Sequence, residues 1–469
     1  MRDHTMAQAA AAALADCFLP DLEATEDLDS FEASLAAGSR ALAASALSAC
    51  IERFDRSLRS QAPPGWRAHE VAPRTLVTLV GEVSYRRTVY LDEHGCRRAW
   101  ADELLGVRPR ARLSAGAFLW LARRSAEVSF RKAAADFEAM SGARVSHVTA
   151  MRCAREEGAL LLAAAPEGPG LSCEGVRVEV DGLWVALQRA AHREEALPRF
   201  LYEQSRERSS MELKVASAYA AKLDAGRGRR RRAALAVVAS AEPPEEFFER
   251  VRAQMAASFE LDDVRRVHYG ADGGAWCGPE RLRGMLPAHV RVLFKLDPFH
   301  VMQAVCRAFP EGPTREWARH LALRGKGAAL ARMAERLAAK ATGPRRERVR
   351  QLASYARRNA AAIGARAASM GTAESTNALI AARMKGRGMS WSREGAEAMC
   401  ALRCAACTGR ALVAPAKGAW LTEREKAARQ PVGTSAAKAP WSSGSGWEVP
   451  HSSRRHAKQR SAEALSKVW

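Results

Sequence analysis

The chain lacks an uninterrupted apolar run of the roughly eighteen or more residues that a membrane-spanning helix needs, so neither spanning nor anchoring is expected. It also lacks a cysteine framework. Its 10 cysteines, from Cys17 to Cys407, are scattered over 469 residues, which suits reduced cytosolic thiols better than disulfides. No targeting segment is read at the N-terminus, because Leu14-Ala15-Asp16-Cys17 follows a short alanine-dominated stretch and an acid precedes the cysteine. Acidic residues are in deficit. There are 73 Lys plus Arg against 52 Asp plus Glu, a net charge of +21 and a pI near 10.1. Such a surplus favours a phosphate backbone through counterion release. Double-stranded DNA is therefore the expected partner and the cytoplasmic nucleoid the expected location, with neither a membrane nor a small-molecule substrate.

The length allows two to four domains. Residues 1–70 read as helical, ended by Pro63-Pro64-Gly65. Residues 71–112 read as a β-meander, with strands Thr75 to Val80 and Val83 to Leu91. In residues 113–165 the period turns helical, with Phe130, Ala133, Ala134 and Phe137 on one face. Ser141-Gly142-Ala143-Arg144 breaks the pattern and Ser146 is placed to cap the next helix. This fits a helix-turn-helix whose Arg144, Arg152 and Arg155 would face DNA, and it equally fits an ordinary helical hairpin.

Residues 175–410 alternate strands and helices. Val176 to Asp181, Glu212 to Ala220, Ala233 to Ser240, Val264 to Gly270 and Val290 to Asp297 read as strands, with a helix at Pro244 to Phe259. Three strands, a helix, a strand and another strand is the order of an RNase H-like α/β core. Residues 301–373 read as a basic helical region, and 430–469 as a disordered basic tail. The run Arg229-Arg230-Arg231-Arg232 falls in a turn between the second and third strands, where it would grip phosphates or simply be solvated.

Three acids stand where phosphodiester chemistry would place them. Asp181 follows the alternation Val176 to Val180, Asp272 follows Val264 to Gly270, and Glu374 opens a helix-like stretch. Carboxylates converging from separate elements are what two magnesium or manganese ions need, since hard oxygen ligands suit them. Gly182, Gly273 and Ser375 follow these acids and permit a tight turn or a helix start. Trp276 reads either as a base-stacking aromatic or as core. Cys400, Cys404 and Cys407 share a helix face, but no fourth ligand for zinc lies nearby.

Several blocks together resemble a family. Val178-Glu179-Val180-Asp181-Gly182, Glu212-Leu213-Lys214, Asp272-Gly273-Gly274-Ala275-Trp276, Leu296-Asp297-Pro298-Phe299-His300 and Glu374 with Arg383 to Ser392 are similar, in order and spacing, to the ISLre-type bacterial insertion-sequence transposases. The resemblance covers roughly residues 70–410. It implies an RNase H-like catalytic domain with Asp181, Asp272 and Glu374 as a metal-binding triad. It also implies an all-helical insertion before the glutamate, and Asp297-x-x-His300 as an acid-x-x-His signature, with His300 acting in catalysis and Asp297 as a further candidate. The expected function is a DNA transposase that binds element ends, cleaves a strand and transfers it to target DNA, working as a homo-oligomer. The alternatives are a co-opted or inactivated copy that only binds DNA, and an RNase H-like nuclease without strand transfer.

Overall fold

A computed structural model of the chain describes residues 2–24, 27–188, 210–224, 226, 230–363, 373–386 and 388–412. Alanine-rich sequence forms α1 (Arg2–Glu23) and α2 (Leu28–Leu58), the latter capped by Asp27, whose carboxylate accepts from Ser30 N at 2.7 Å. The expectation that nothing reaches membrane length needs correcting. The helical span Leu28–Gln61 is long and apolar enough to cross a membrane by length and composition alone, because alanine raises the mean hydropathy of an 18-residue window within it to 1.3 without any run of large side chains. The second half of α2 is tied to a sheet. Its Asp55 accepts from Thr88 N and Oγ1, and Glu52 accepts from Arg86 N.

That sheet comprises β1 (Arg67–Thr78), β2 (Gly81–Leu91) and β3 (Arg97–Arg98), all antiparallel in the order β1-β2-β3. The first strand starts earlier than its β-branched core suggests. Its exposed first half reads as a loop, although it pairs along β2 from Arg67 onward. Beside the sheet, α3 (Trp100–Leu104) buries Asp102 among Tyr85, Arg74 and Arg87, which donate to it at 2.6, 2.8 and 2.6 Å. Two guanidinium groups thus compensate a carboxylate that would otherwise be costly to desolvate.

Next come α4 (Ala115–Ser125), α5 (Phe130–Ser141) and α6 (His147–Ala163), packed through Phe118, Leu121, Ala133, Phe137 and Cys153. Gly142 ends α5 with φ +75°, and Ser146 caps α6 by accepting from Thr149 N at 3.0 Å.

The largest sheet contains β4 (Gly175–Ala186), β5 (Ser210–Tyr219), β8 (Ala236–Ser240), β9 (Arg266–Ala271) and β10 (Arg291–Leu296). Between β5 and β8, β6 (Lys222–Asp224) and β7 (Arg230–Arg232) form a separate hairpin, so the arginine run ends in a short strand rather than a turn. The sheet order is β10-β9-β4-β5-β8. Here β5 is antiparallel to both of its neighbours, β4 and β8, whereas β9 and β10 run parallel to β4. Even-numbered Val176, Val178 and Val180 bury one face against α7 (Pro244–Ser258), through Phe247, Phe248 and Met255. Odd-numbered Leu183 and Val185 bury the other face against α13 (Ala373–Met384) and α14 (Arg393–Thr408).

The short α8 (Pro279–Arg283) precedes β10, after which α9 (Pro298–Ala308), α10 (Pro313–Leu323), α11 (Gly327–Lys340) and α12 (Gly343–Arg358) close on their own core of Val305, Phe309, Leu330 and Leu352. Residues 430–469, read as a disordered tail, lie outside the described residues.

Candidate catalytic site

Register brings the acids together. The last parallel pair of β4 and β9 is Glu179 with Gly270, so two residues further on Asp181 faces Asp272. Leu296 pairs with Ala271, which sets Asp297 beside Asp272 one residue later, and Asp297 N continues the ladder to Ala271 O at 3.0 Å. Neighbouring strands lie about 4.8 Å apart, so the aspartates form a row across three adjacent strands. They line a cavity of about 150 Å³ with His300, Lys295 and Ala373. Asp181 was expected at a strand end. It is the partner β9 that ends there, while β4 itself runs on to Ala186 against β5.

Each aspartate is held differently. Asp181 Oδ1 accepts from Gly182 N at 2.7 Å, and Oδ2 accepts from Asn377 Nδ2 at 2.7 Å. Burial pushes the Asp181 carboxyl up, with Asp272 and Asp297 adding to the shift and the Gly182 amide and His300 opposing it. Asp272 Oδ1 accepts from Gly274 N at 2.8 Å and from the Cys277 thiol at 2.9 Å. Burial, reinforced by Asp272, keeps that thiol protonated and therefore a donor. Gly273, at φ +79°, makes the turn that permits this arrangement. Asp297 caps α9, accepting from Phe299 N at 2.9 Å, and His300 follows in the same first turn.

Sequence reasoning missed three groups. Glu212 on β5 reaches over Gly182, where a Cβ would come within 2.4 Å of its Oε1. Burial raises its pKa, Lys214 opposes, and Asp272 and Asp181 add to the rise, so it stands within electrostatic reach of both aspartates. Glu179 is buried. It accepts from Tyr219 Oη at 2.6 Å and from Ala373 N at 2.9 Å, latching the start of α13 to β4. Asn377 orients Asp181, and its own buried Oδ1 has no hydrogen-bond partner among the described residues. The advance signal for Glu179 and Glu212 was their place in the strand-like motif blocks, which marks no role for either.

Glu374 is exposed, one turn before Asn377 on the same face of α13. Among the described residues, no three His, Cys, Asp or Glu side chains are grouped closely enough to hold one metal ion. In donor chemistry the residues nevertheless fit a divalent cation. The site offers hard carboxylate oxygens, with an unpartnered amide oxygen beside them.

The remaining candidates scatter. Trp276 packs edge-on to Phe247, and Lys214 Nζ lies 5.7 Å from its ring centroid. Arg155 binds Glu394 at 3.1 Å, whereas Arg152 is exposed and Arg144 is exposed beside Glu138. Arg229 lies outside the described residues, and of Arg230 only the backbone, in β7, is described. Cys400 and Cys404 are core residues beside Met399 and Leu402, and Cys407 packs against them. A larger groove of about 710 Å³ runs past Leu161, Val237 and Cys404, but its Arg250 and Arg252 are paired with Glu242 and Glu249. The smaller cavity is therefore the candidate site.

Set against known proteins, residues 24–420 match an uncharacterised protein family, UPF0236. The chain belongs to UPF0236. A relative from Streptococcus gallolyticus, "UPF0236 protein in vanSb 3'region", is 28% identical over 160 residues, which is 34% of this chain and 36% of that protein's length. The UPF0236 match corrects the resemblance to ISLre-type transposases read from the motif blocks. Those blocks are short strand ends and Asp-Gly turns, whose composition answers to register and turn geometry as well as to ancestry.

Proposed function

We propose that this UPF0236 chain is a metal-dependent DNA transposase, cleaving a strand at the ends of a mobile element and transferring it to target DNA as a homo-oligomer. The observation that carries the reading is the row Asp181, Asp272, Asp297 across three adjacent strands, in a chain of net charge +21. The reading takes the five-stranded sheet as an RNase H-like core. Support comes from its order, with three antiparallel strands first and two strands parallel to the first added at its other side. On this view α9 to α12 are an insertion before Glu374.

Asp181, Asp272 and Glu374 would hold two magnesium or manganese ions, with Asp297 and Glu212 next in reach. Bound there, such ions supply activation of the attacking oxygen and neutralisation of the leaving one. The chain's own groups do the positioning. Asn377 fixes one oxygen of Asp181, Glu179 fixes the start of the helix bearing Glu374, and His300 lines the same cavity as Asp181, where it would meet a phosphate oxygen. Placing part-buried carboxylates side by side favours a cation between them.

The test is magnesium-dependent cleavage and joining of duplexes cut from the DNA that flanks the gene. Asp181→Asn and Asp272→Asn should lower the rate by about four orders of magnitude while leaving duplex binding intact, and a chelator should abolish turnover. Wild-type cleavage by Asp181→Asn would show the mechanism to be wrong. If Glu374→Gln alone is silent, the third ligand is Asp297 or Glu212.

A further inference from the structure

Positive charge is not spread evenly over the fold. Residues 301–363, which form α9 to α12, carry 14 Lys or Arg against 4 Asp or Glu, a net +10 out of the chain's +21. The helices α4 to α6, within 115–163, carry 7 against 5, a net of only +2. Each of the four acids in the helical insertion is already taken. Glu311 pairs with Arg315, Glu316 with Arg319, Glu335 with Arg357 and Glu347 with Arg350. The surplus cations therefore have no counter-charge within the insertion, and concentrating them there costs stability through self-repulsion.

The insertion also abuts the catalytic row. On α12 only Val349, Leu352, Ala353 and Ala356 are buried, while Arg345, Arg346, Arg348 and Arg358 stand exposed without an ion-pair partner among the described residues. At the end of this helix Tyr355 Oη donates to Asp272 O at 2.7 Å, and Asn359 Nδ2 donates to Gly273 O at 3.4 Å. Arg358 lies close enough to oppose the upward pKa shift that burial and Asp272 impose on Tyr355. The basic surface thus starts at the strand end that carries Asp272 and runs outward along α12.

We infer that this helical arm, rather than the near-neutral helices α4 to α6, is the principal surface that grips the phosphate backbone of duplex DNA and leads it to the aspartates. The inference rests on the transposase reading and adds to it the place where substrate is held. Arginine suits the task because its planar fork meets phosphate oxygens bidentately.

The experiment measures duplex binding by the full chain across a salt series. One variant combines Arg345→Ala, Arg346→Ala, Arg348→Ala and Arg358→Ala, and its matched control combines Arg123→Ala, Arg131→Ala, Arg144→Ala and Arg152→Ala. All eight side chains are exposed, so neither variant should melt below the parent. Each lost phosphate contact should lower the slope of log affinity against log salt by about 0.9, so the arm variant should lose about three to four units of slope and the control about one or less. A parental slope in the arm variant, or an equal loss in the control, overturns the inference while leaving the transposase reading standing. Failure of the unmodified chain to bind duplex at any salt overturns both, as does arm-dependent binding to anionic-lipid vesicles in place of DNA.

Discussion

A glycine inside a strand usually weakens it, since it adds backbone entropy and packs nothing. Gly182 is tolerated in the middle of β4 because the space above it is filled by Glu212. A Cβ there would sit 2.4 Å from Glu212 Oε1 and 3.3 Å from its Cδ. These are the far atoms of a flexible side chain, so Gly182→Ala should cost little stability, within about 1 kcal/mol, yet turn the Glu212 carboxylate away from Asp181 and Asp272. If Glu212 works with them, Gly182→Ala and Glu212→Gln should both slow magnesium-dependent cleavage at least about tenfold with DNA binding unchanged. Parental rates in both variants would make Glu212 a bystander. At this scale Asp272 was legible, because Asp-Gly-Gly after a β-branched run is a turn signal. The position of Glu212 was not, and Asp297 stood out only through the motif resemblance. A strand acid meant for solvent and one meant for a cluster look alike until cross-strand register sets their neighbours.

The element that register alone does not place is α13. Its first amide, Ala373 N, donates to buried Glu179, which Tyr219 also engages, while Arg232 Nη1 donates to Thr376 Oγ1 at 2.7 Å one turn later. These contacts hold the start of the helix against β4 and β7, and with it Glu374 and Asn377. Tyr219→Phe removes one donor to a buried carboxylate and should destabilise the fold by about 1–2 kcal/mol. As a positioning change it should lower kcat while leaving KM for DNA near the parental value, and hydrogen exchange should quicken at Ala373 to Thr376. An unchanged kcat alongside the stability loss would assign Tyr219 to the core alone. Periodicity foretold most strands and helices, since Val176 to Val180 and Phe130 to Phe137 bury the faces their spacing marks. It carried no information on the latch, whose partners are separated by 40 and 194 residues.

Across the whole molecule, the boundary expected near residue 165 separates elements but not cores. Ala126 of the segment after α4, and Ala154 and Leu161 of α6, share one apolar cluster with Leu183 and Val185 of β4 and Met399 and Leu402 of α14. Where α6 crosses α14, a Cβ on Gly158 would meet Ala398 O at 2.3 Å and its Cα at 2.5 Å, both backbone atoms that cannot swing aside. A linker between independent domains has no need for such closeness. Sequence pattern could not reveal it, because a glycine within a helical period reads only as a mild helix weakener. Gly158→Ala, ordinarily a helix-stabilising change, should therefore destabilise this protein by about 3 kcal/mol through overpacking. In denaturant the two halves should still unfold in one transition, at a lower midpoint. A fragment ending at residue 165 exposes Ala154 and Leu161 and should not fold alone, so footprints of DNA must be taken with the full chain. Stabilisation by Gly158→Ala, or a cooperative unfolding transition in a 70–165 fragment, would restore the helices α4 to α6 as a separate domain.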